Sequence, residues 1–446
     1  FEFPPHRITV NLAPADVRKA GASFDLPIAL GILAAHGALD AQVLDRLVVL
    51  GELSLDGSIQ SARGVLPVAA AARRDGQRGL LIPRVNAGEA AIVGGLDLLA
   101  AGTLAEAVAL LQHPPPGRPH TPSPPPLAPA ATADLADVKG QRFARRALEI
   151  AAAGEHNLLF VGPPGAGKTM LARRIPGILP PLTVDEALEV TTIHSVAGLL
   201  PAGGGLLAAR PFRAPHHTIS NVALVGGGGL PRPGEVSLAH HGVLFLDEML
   251  EFQRGVLEVL RQPLEEGSVT IARAARTVHF PARIVLVGAM NPCPCGFAGS
   301  RDRECRCTPL QVDRYRARLS GPLRDRLDLG IDVPAVPPDL LGEAAAGEPS
   351  AAVRARVVAA RDRQRQRHAA LDGVANARLS PAQIARYCRI DSAGVRLLSA
   401  AVQRLGLSAR GYERVRKVAR TIADLAGADD IASDHVAEAL QFRLSG

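Results

Sequence analysis

Residues 162 to 169 read GPPGAGKT, a run of closely spaced glycines that ends in a lysine and a threonine. Gly162, Gly165 and Gly167 let backbone N–H groups approach phosphate oxygens, with Pro163, Pro164 and Ala166 completing the turn. Lys168 reaches the β and γ oxygens, and Thr169 can ligate magnesium. The chain has only four lysines, Lys19, Lys139, Lys168 and Lys417, and one of them stands where phosphate chemistry needs a cation. Downstream, GVLFLDE (242–248) is an apolar run ending in two acids. Asp247 is expected to hold the magnesium shell and Glu248 to polarise an attacking water. A further apolar run, RIVLVGAMN, ends in Asn291, placed to orient that water from a neighbouring strand tip. The chemistry expected of this set is cleavage of ATP with Mg2+.

A second constellation follows at once. Cys293 and Cys295 form one CPC knuckle, Cys305 and Cys307 a CRC knuckle nine residues on, and Cys388 stands apart. Four thiolates on two short knuckles suffice to close a tetrahedral zinc shell with no position left for water, so a structural Zn2+ is expected here and a catalytic one is not. The pairs His216-His217 and His240-His241 are not read as metal sites, because adjacent side chains on a strand point to opposite faces.

These residues need elements to hold them. NLLFVG running into the glycine loop reads as strand, loop, helix, and GVLFLDE and RIVLVGAMN read as buried strands. Residues 1–112 alternate short β-like runs (RITVNL, RLVVLGEL, GLLIP) with Ala-rich helical stretches at 26–36 and 65–74, which makes this part α/β. Residues 113–132 are dense in proline and read as a semi-rigid spacer. Residues 133–350 form the expected nucleotide-binding core. From 351 to 446 the pattern is helical and basic, ending in four segments punctuated by Gly, Ser and Asp, as in a small lid. Residues 267–282 (GSVTIARAARTVHFPA) read as a hairpin carrying Arg273 and Arg276 at its tip.

The 446 residues carry a net charge of +7 and a pI near 9.6, which permits a polyanionic partner. Aromatic residues are only 3% of the chain, so base stacking has few candidate residues, and arginine-to-phosphate contacts would have to hold a nucleic acid without reading its sequence. No apolar run approaches the ~18–20 residues of a membrane span. No secretion signal precedes the first element, so a cytoplasmic setting is expected, and the start at Phe1 suggests a fragment.

The order GPPGAGKT, FLDE, GAMN, LSGPLRDRLDL and SARGYERVRKVARTIADL resembles the magnesium-chelatase-like (helix-2-insert) branch of AAA+ ATPases, over essentially the whole chain. The fold this implies is α/β: an AAA+ P-loop core with a C-terminal helical lid. Residues 8–80 resemble the peptidase domain of Lon proteases, so a partial Lon-protease-like α/β domain is expected in front. Ser23 falls near that family's nucleophile, but Leu66 stands at the position of its lysine, and the domain is read as inactive. The resemblance makes Arg326, with Arg324 as a rival, the finger that reaches a neighbouring subunit's ATP. It makes Arg410 the lid arginine called sensor 2, and DVKGQ (137–141) the segment lining adenine. A trans arginine implies a ring, usually a homohexamer. By similarity to replicative MCM helicases, the long segment between Lys168 and Asp247 is an insertion that presents Arg210 and Arg213 towards a central pore. The activity implied is ATP-dependent DNA translocation or unwinding, with branch migration of recombination intermediates in natural transformation and single-stranded or branched DNA as partner. The alternative is a chelatase-type ATPase that remodels a protein.

Overall fold

A computed structural model describes residues 7–12, 22–113, 133–200, 205–228, 231–273, 276–299, 303–335, 347–371 and 374–443. Apart from His113, the proline-rich spacer lies outside the described residues. The chain divides into two compact units: Phe1–Ala128 with Thr183–Ala208, and Pro129–Leu182 with Ala209–Gly446.

In the first unit, β1 (Leu47–Val49), β2 (Gly79–Pro83) and β3 (Asp97–Ala101) form a parallel sheet in that order. All five residues of β2 are buried, as the continuous apolar run GLLIP requires of a central parallel strand. Helices Asp25–Ala35 and Val65–Arg74 fall where the Ala-rich stretches place them. RITVNL, expected as a strand, is instead exposed and without regular structure.

The helix Val184–Ala197 belongs to this unit, although its sequence interrupts the nucleotide-binding core assigned to 133–350. A capping box between Thr183 and Glu186 starts it, and it buries Ala187, Val190 and Ile193. The Gly64 N–H donates to the Ser195 carbonyl at 3.2 Å, and the Ser195 hydroxyl donates to the buried carboxylate of Glu89.

The second unit is built on a five-stranded parallel sheet. Its strands are β4 (Leu158–Val161), β5 (Phe212–Arg213), β6 (Val243–Leu246), β9 (Val285–Met290) and β10 (Leu329–Asp332), in spatial order β10-β4-β9-β6-β5. Between β6 and β9 in sequence, β7 (Ser268–Arg273) and β8 (Arg276–Pro281) make an antiparallel hairpin. Every residue of β6 and β9 is buried. Because the strands are parallel, their carboxyl ends meet on one edge, where α/β sheets bind ligands. Met290 is in register with Val161, and Leu246 with Gly288, so the residues that follow each strand converge.

Helices Ser350–Arg367, Pro381–Tyr387, Ser392–Leu405, Ala409–Leu425 and Ser433–Gln441 form the lid. Ser380, Asp391 and Ser408 each accept the N–H three residues on, which ends the loops where the sequence places Ser and Asp. Val415, Val418, Ala419 and Ile422 share one core with Leu158, Phe160, Leu329 and Ile331, so the lid rests on the strands that carry the phosphate loop. Among the described residues no helix is long and apolar enough to cross a membrane.

Candidate active site

The phosphate loop leaves β4 and turns through Gly165 (φ +81°) and Gly167 (φ +87°), conformations that a side chain disfavours, before a helix opens at Lys168. Lys168 is 8% exposed. Its Nζ donates to the carbonyls of Gly162 (2.6 Å) and Pro163 (2.9 Å) and to Asn291 Oδ1 (3.2 Å). Burial pulls its pKa below the usual lysine value, against the opposing pull of Asp247 and Glu248. An ammonium held this way by two main-chain oxygens and one amide is positioned to exchange those partners for phosphate oxygens.

Thr169 Oγ1 donates to Asp247 Oδ2 at 2.6 Å, and Asp247 Oδ1 accepts the Glu248 N–H at 3.0 Å. A hydroxyl and a carboxylate face to face are the hard oxygen ligands that suit Mg2+. Glu248 sits in the left-handed region (φ +49°), uncommon for a residue with a side chain, and its carboxylate is 59% exposed. The loop after β6 therefore turns away at once and leaves this carboxylate facing outward. Lys168, Thr169, Asp247, Glu248 and Asn291 thus gather at the tips of three adjacent strands.

His217 was missed: the sequence reading set the histidine pairs aside as metal ligands and gave this pair no other role. The pair is in a turn rather than a strand, so the two rings lie together, 4.1 Å apart. His217 Nδ1 is 3.7 Å from Glu248 Oε2. The only signal in the sequence was the pair itself.

A second charged edge joins the lid to the segment before β10. Arg326 is 11% exposed, ion-pairs Glu265 at 2.5 Å and donates to the Pro322 carbonyl at 2.6 Å, while Arg324 is exposed. Arg410, 62% exposed, lies 3.7 Å from Asp325, and Arg414 lies 3.8 Å from the same carboxylate. The two arginines assigned to nucleotide chemistry by resemblance therefore share one edge through Asp325 and its neighbours. Arg326 pairs with Glu265 and Arg410 with Asp325, both carboxylates of this edge.

Arg210 and Arg213, expected towards a central pore, are both engaged within the chain. Arg210 donates to the carbonyls of Pro180, Pro181 and His241, and Arg213 makes a bidentate pair with Glu235 at 2.6 and 2.7 Å. Both guanidiniums tie loop to core. Arg273 and Arg276 are the last cross-strand pair of the hairpin, and the two residues between them lie outside the described residues.

The four cysteines of the two knuckles come together. Cys293, which is buried, lies 3.4 Å from Cys295 and 3.7 Å from Cys305 (Sγ to Sγ), and Cys295 lies 3.6 Å from Cys305. All four sulfurs are within 4.8 Å of one another. A tetrahedron with Zn–S bonds of about 2.3 Å has sulfur edges of about 3.8 Å, so the donor set fits zinc. N–H groups of Phe297 and then Arg306 lower the Cys295 thiol to about 6.

Comparison with known proteins agrees with this geometry. The family profile of magnesium chelatase, subunit ChlI, matches residues 134–341, its C-terminal profile matches 347–443, and a third, subunit ChlI of Mg-chelatase, matches 1–86. The chain is 46% identical to competence protein ComM of Haemophilus influenzae, across 99% of this chain and 86% of that protein. The chain belongs to the ComM-like, magnesium-chelatase-related AAA+ family. It is also 45% identical to the YifB protein of Salmonella typhimurium, again over 86% of that protein. A more distant relative is the magnesium-chelatase 38 kDa subunit of Rhodobacter capsulatus, 25% identical over 35% of this chain. As in that family, the core is an ATP-binding AAA+ unit followed by a helical lid.

Proposed function

We propose that this chain hydrolyses ATP as a homohexameric ring and couples turnover to movement along DNA, promoting branch migration of recombination intermediates in natural transformation. The observation that carries the catalytic part is the convergence of Lys168, Thr169, Asp247, Glu248 and Asn291 at adjacent strand tips. In this reading the phosphate-loop amides and Lys168 hold the β- and γ-phosphates. Mg2+, held by Thr169 and Asp247, would neutralise charge on the oxygens between them. Glu248 takes the proton of the attacking water, and Asn291 orients that water while staying within reach of Lys168. Arg326 completes the charge stabilisation from the neighbouring subunit, and Arg410, on the same Asp325 edge, adds to it as the lid arginine.

The DNA part draws on the relative named for competence and on the net charge of +7. It draws also on the β7–β8 hairpin, where Arg273 stands opposite Arg276. Arg210 and Arg213 have no part in this reading. The first unit is taken as non-proteolytic, because Leu66, at the Lon lysine position, is a buried side chain without an amine.

The test is the ATPase rate with and without forked or four-way DNA at low and raised salt. Stimulation that fades with salt is expected, and indifference to every DNA would favour the protein-remodelling reading suggested by the likeness to the chelatase subunit. Arg273→Ala with Arg276→Ala should weaken DNA binding and lower the slope of log affinity against log salt by about one per lost phosphate contact. An unchanged slope would remove the hairpin from the DNA path.

A further inference from the structure

We propose that the zinc held by Cys293, Cys295, Cys305 and Cys307 positions the nucleotide site: it sets Asn291 and the phosphate loop, and so controls nucleotide affinity and turnover. The proposal rests on the ATPase reading for the turnover part alone. A single residue, Pro292, separates Asn291 from Cys293, so the first metal ligand anchors the chain directly after the amide that meets Lys168. Around that ligand the chain is tightly folded. Cys293 Sγ accepts the Ala298 N–H at 3.2 Å, and the Cys293 carbonyl accepts the Gly296 N–H at 3.0 Å.

The turn so formed lies against the phosphate loop. Gly296 has φ +87°, and a Cβ added to it would stand 2.7 and 2.9 Å from Cδ and Cγ of Pro164 and 3.9 Å from Cγ of Asn291. The glycine backbone of the first knuckle is therefore a wall on which Pro164 rests. On the other side of Cys307, Thr308 caps the helix Pro309–Arg316 through a capping box with Gln311, and Arg316 Nε returns to the Pro292 carbonyl at 3.3 Å. The segment between Asn291 and Cys293 is thus held at one end by the metal and in the middle by a guanidinium. Removing the metal frees the first of these ties. It leaves four thiols where four metal bonds had fixed the loop, since a metal site contributes its binding energy to the folded arrangement. A shift of about 1 Å in groups that orient a reacting water is enough to cost on the order of a hundredfold in rate.

A merely structural zinc would stabilise its own loop and leave the nucleotide site unmoved. Gly296→Ala separates the two roles: it keeps all four cysteines but drives a methyl group into Pro164 at a positive φ. The experiment uses the full chain. Metal content is measured by mass spectrometry, affinity for Mg-ATPγS by calorimetry, and phosphate release at steady state. Gly296→Ala should retain zinc, bind ATPγS several-fold more weakly and turn over on the order of tenfold more slowly. Wild-type protein stripped by a zinc chelator, with its helical content checked by circular dichroism, should shift in the same direction and recover when zinc is restored. Unchanged ATPγS affinity and turnover in the zinc-stripped protein would overturn the proposal, whatever Gly296→Ala does. Zinc-dependent ATPγS affinity in a chain that never releases phosphate would uphold the coupling and sink the ATPase reading instead.

Discussion

Lys168 and Glu248 differ sharply in setting, although the proposed function assigns both to one phosphate. The lysine is enclosed and already satisfied by three oxygens, whereas the glutamate is exposed on a left-handed residue at the end of β6. On the proposed function, the lysine governs binding and the glutamate governs the water. Glu248→Gln should leave ATP affinity within about twofold and lower turnover by about 10²–10⁴, the usual contribution of a general base. Equilibrium binding and phosphate release measure the two separately, and undiminished hydrolysis would pass the base role to another group, such as His217, 3.7 Å from the Glu248 carboxylate. The lysine, threonine and acids were legible in the sequence because their spacing along one strand and one loop is local. His217 was not, because what gives it meaning is its approach to a carboxylate thirty-one positions away.

At the scale of elements, what matters is how the lid is joined to the strand that feeds the phosphate loop. Glu155 ends the helix Arg142–Gly154 in a left-handed conformation just before β4. It holds Arg361 of the first lid helix and Arg378 at 2.8 Å each. Burial alone would raise its pKa, but the two guanidiniums overcome that and hold it well below the usual glutamate value. A depressed carboxylate stabilises the fold above its unfolded pKa, and that contribution is lost as pH falls through the folded value. Glu155→Gln should lower stability at neutral pH by less than the roughly 3–5 kcal/mol of a fully buried broken pair, because a fifth of the side chain meets solvent. The loss should shrink in acid, and thermal melts from neutral pH into the acid range would show it. An equal loss at every pH would mean that Glu155 acts through packing rather than charge. Next to it, His156, Thr421, Asn376 and Asp424 form a buried chain of hydrogen bonds that continues the same joint into the helix Ala409–Leu425. The helices themselves were readable from their caps and apolar spacing. Which lid residue meets which strand was not, since each of these pairs spans more than forty positions.

At the scale of the whole molecule, the proposed ring makes a prediction that a monomeric ATPase does not. Arg326→Ala and Glu248→Gln should each be nearly inactive alone. If the arginine acts on a neighbour's ATP, mixing the two in equal amounts should restore about a quarter of wild-type turnover, because one interface in four pairs an intact Glu248 with an intact Arg326. A mixture as inactive as its components would place the arginine's role within its own subunit, where its pair with Glu265 already holds it.

The sequence alone determined the ATP-binding chemistry, the AAA+ core with its helical lid, the α/β character of the first unit and the four-thiol cluster. Each of these rests on local spacing: a glycine turn, an apolar run, a cap, a pair of knuckles. Tertiary structure decided what long-range packing controls. It engaged Arg210 and Arg213 within the chain, with carbonyls and with Glu235. It moved Thr183–Ala208 from the core to the first unit by burying one face of a helix there, and it brought Gly296 of the cysteine loop onto Pro164. A side chain's type fixes what it can bond to, but only the folded chain determines whether that capacity is spent inside the molecule or kept for a ligand.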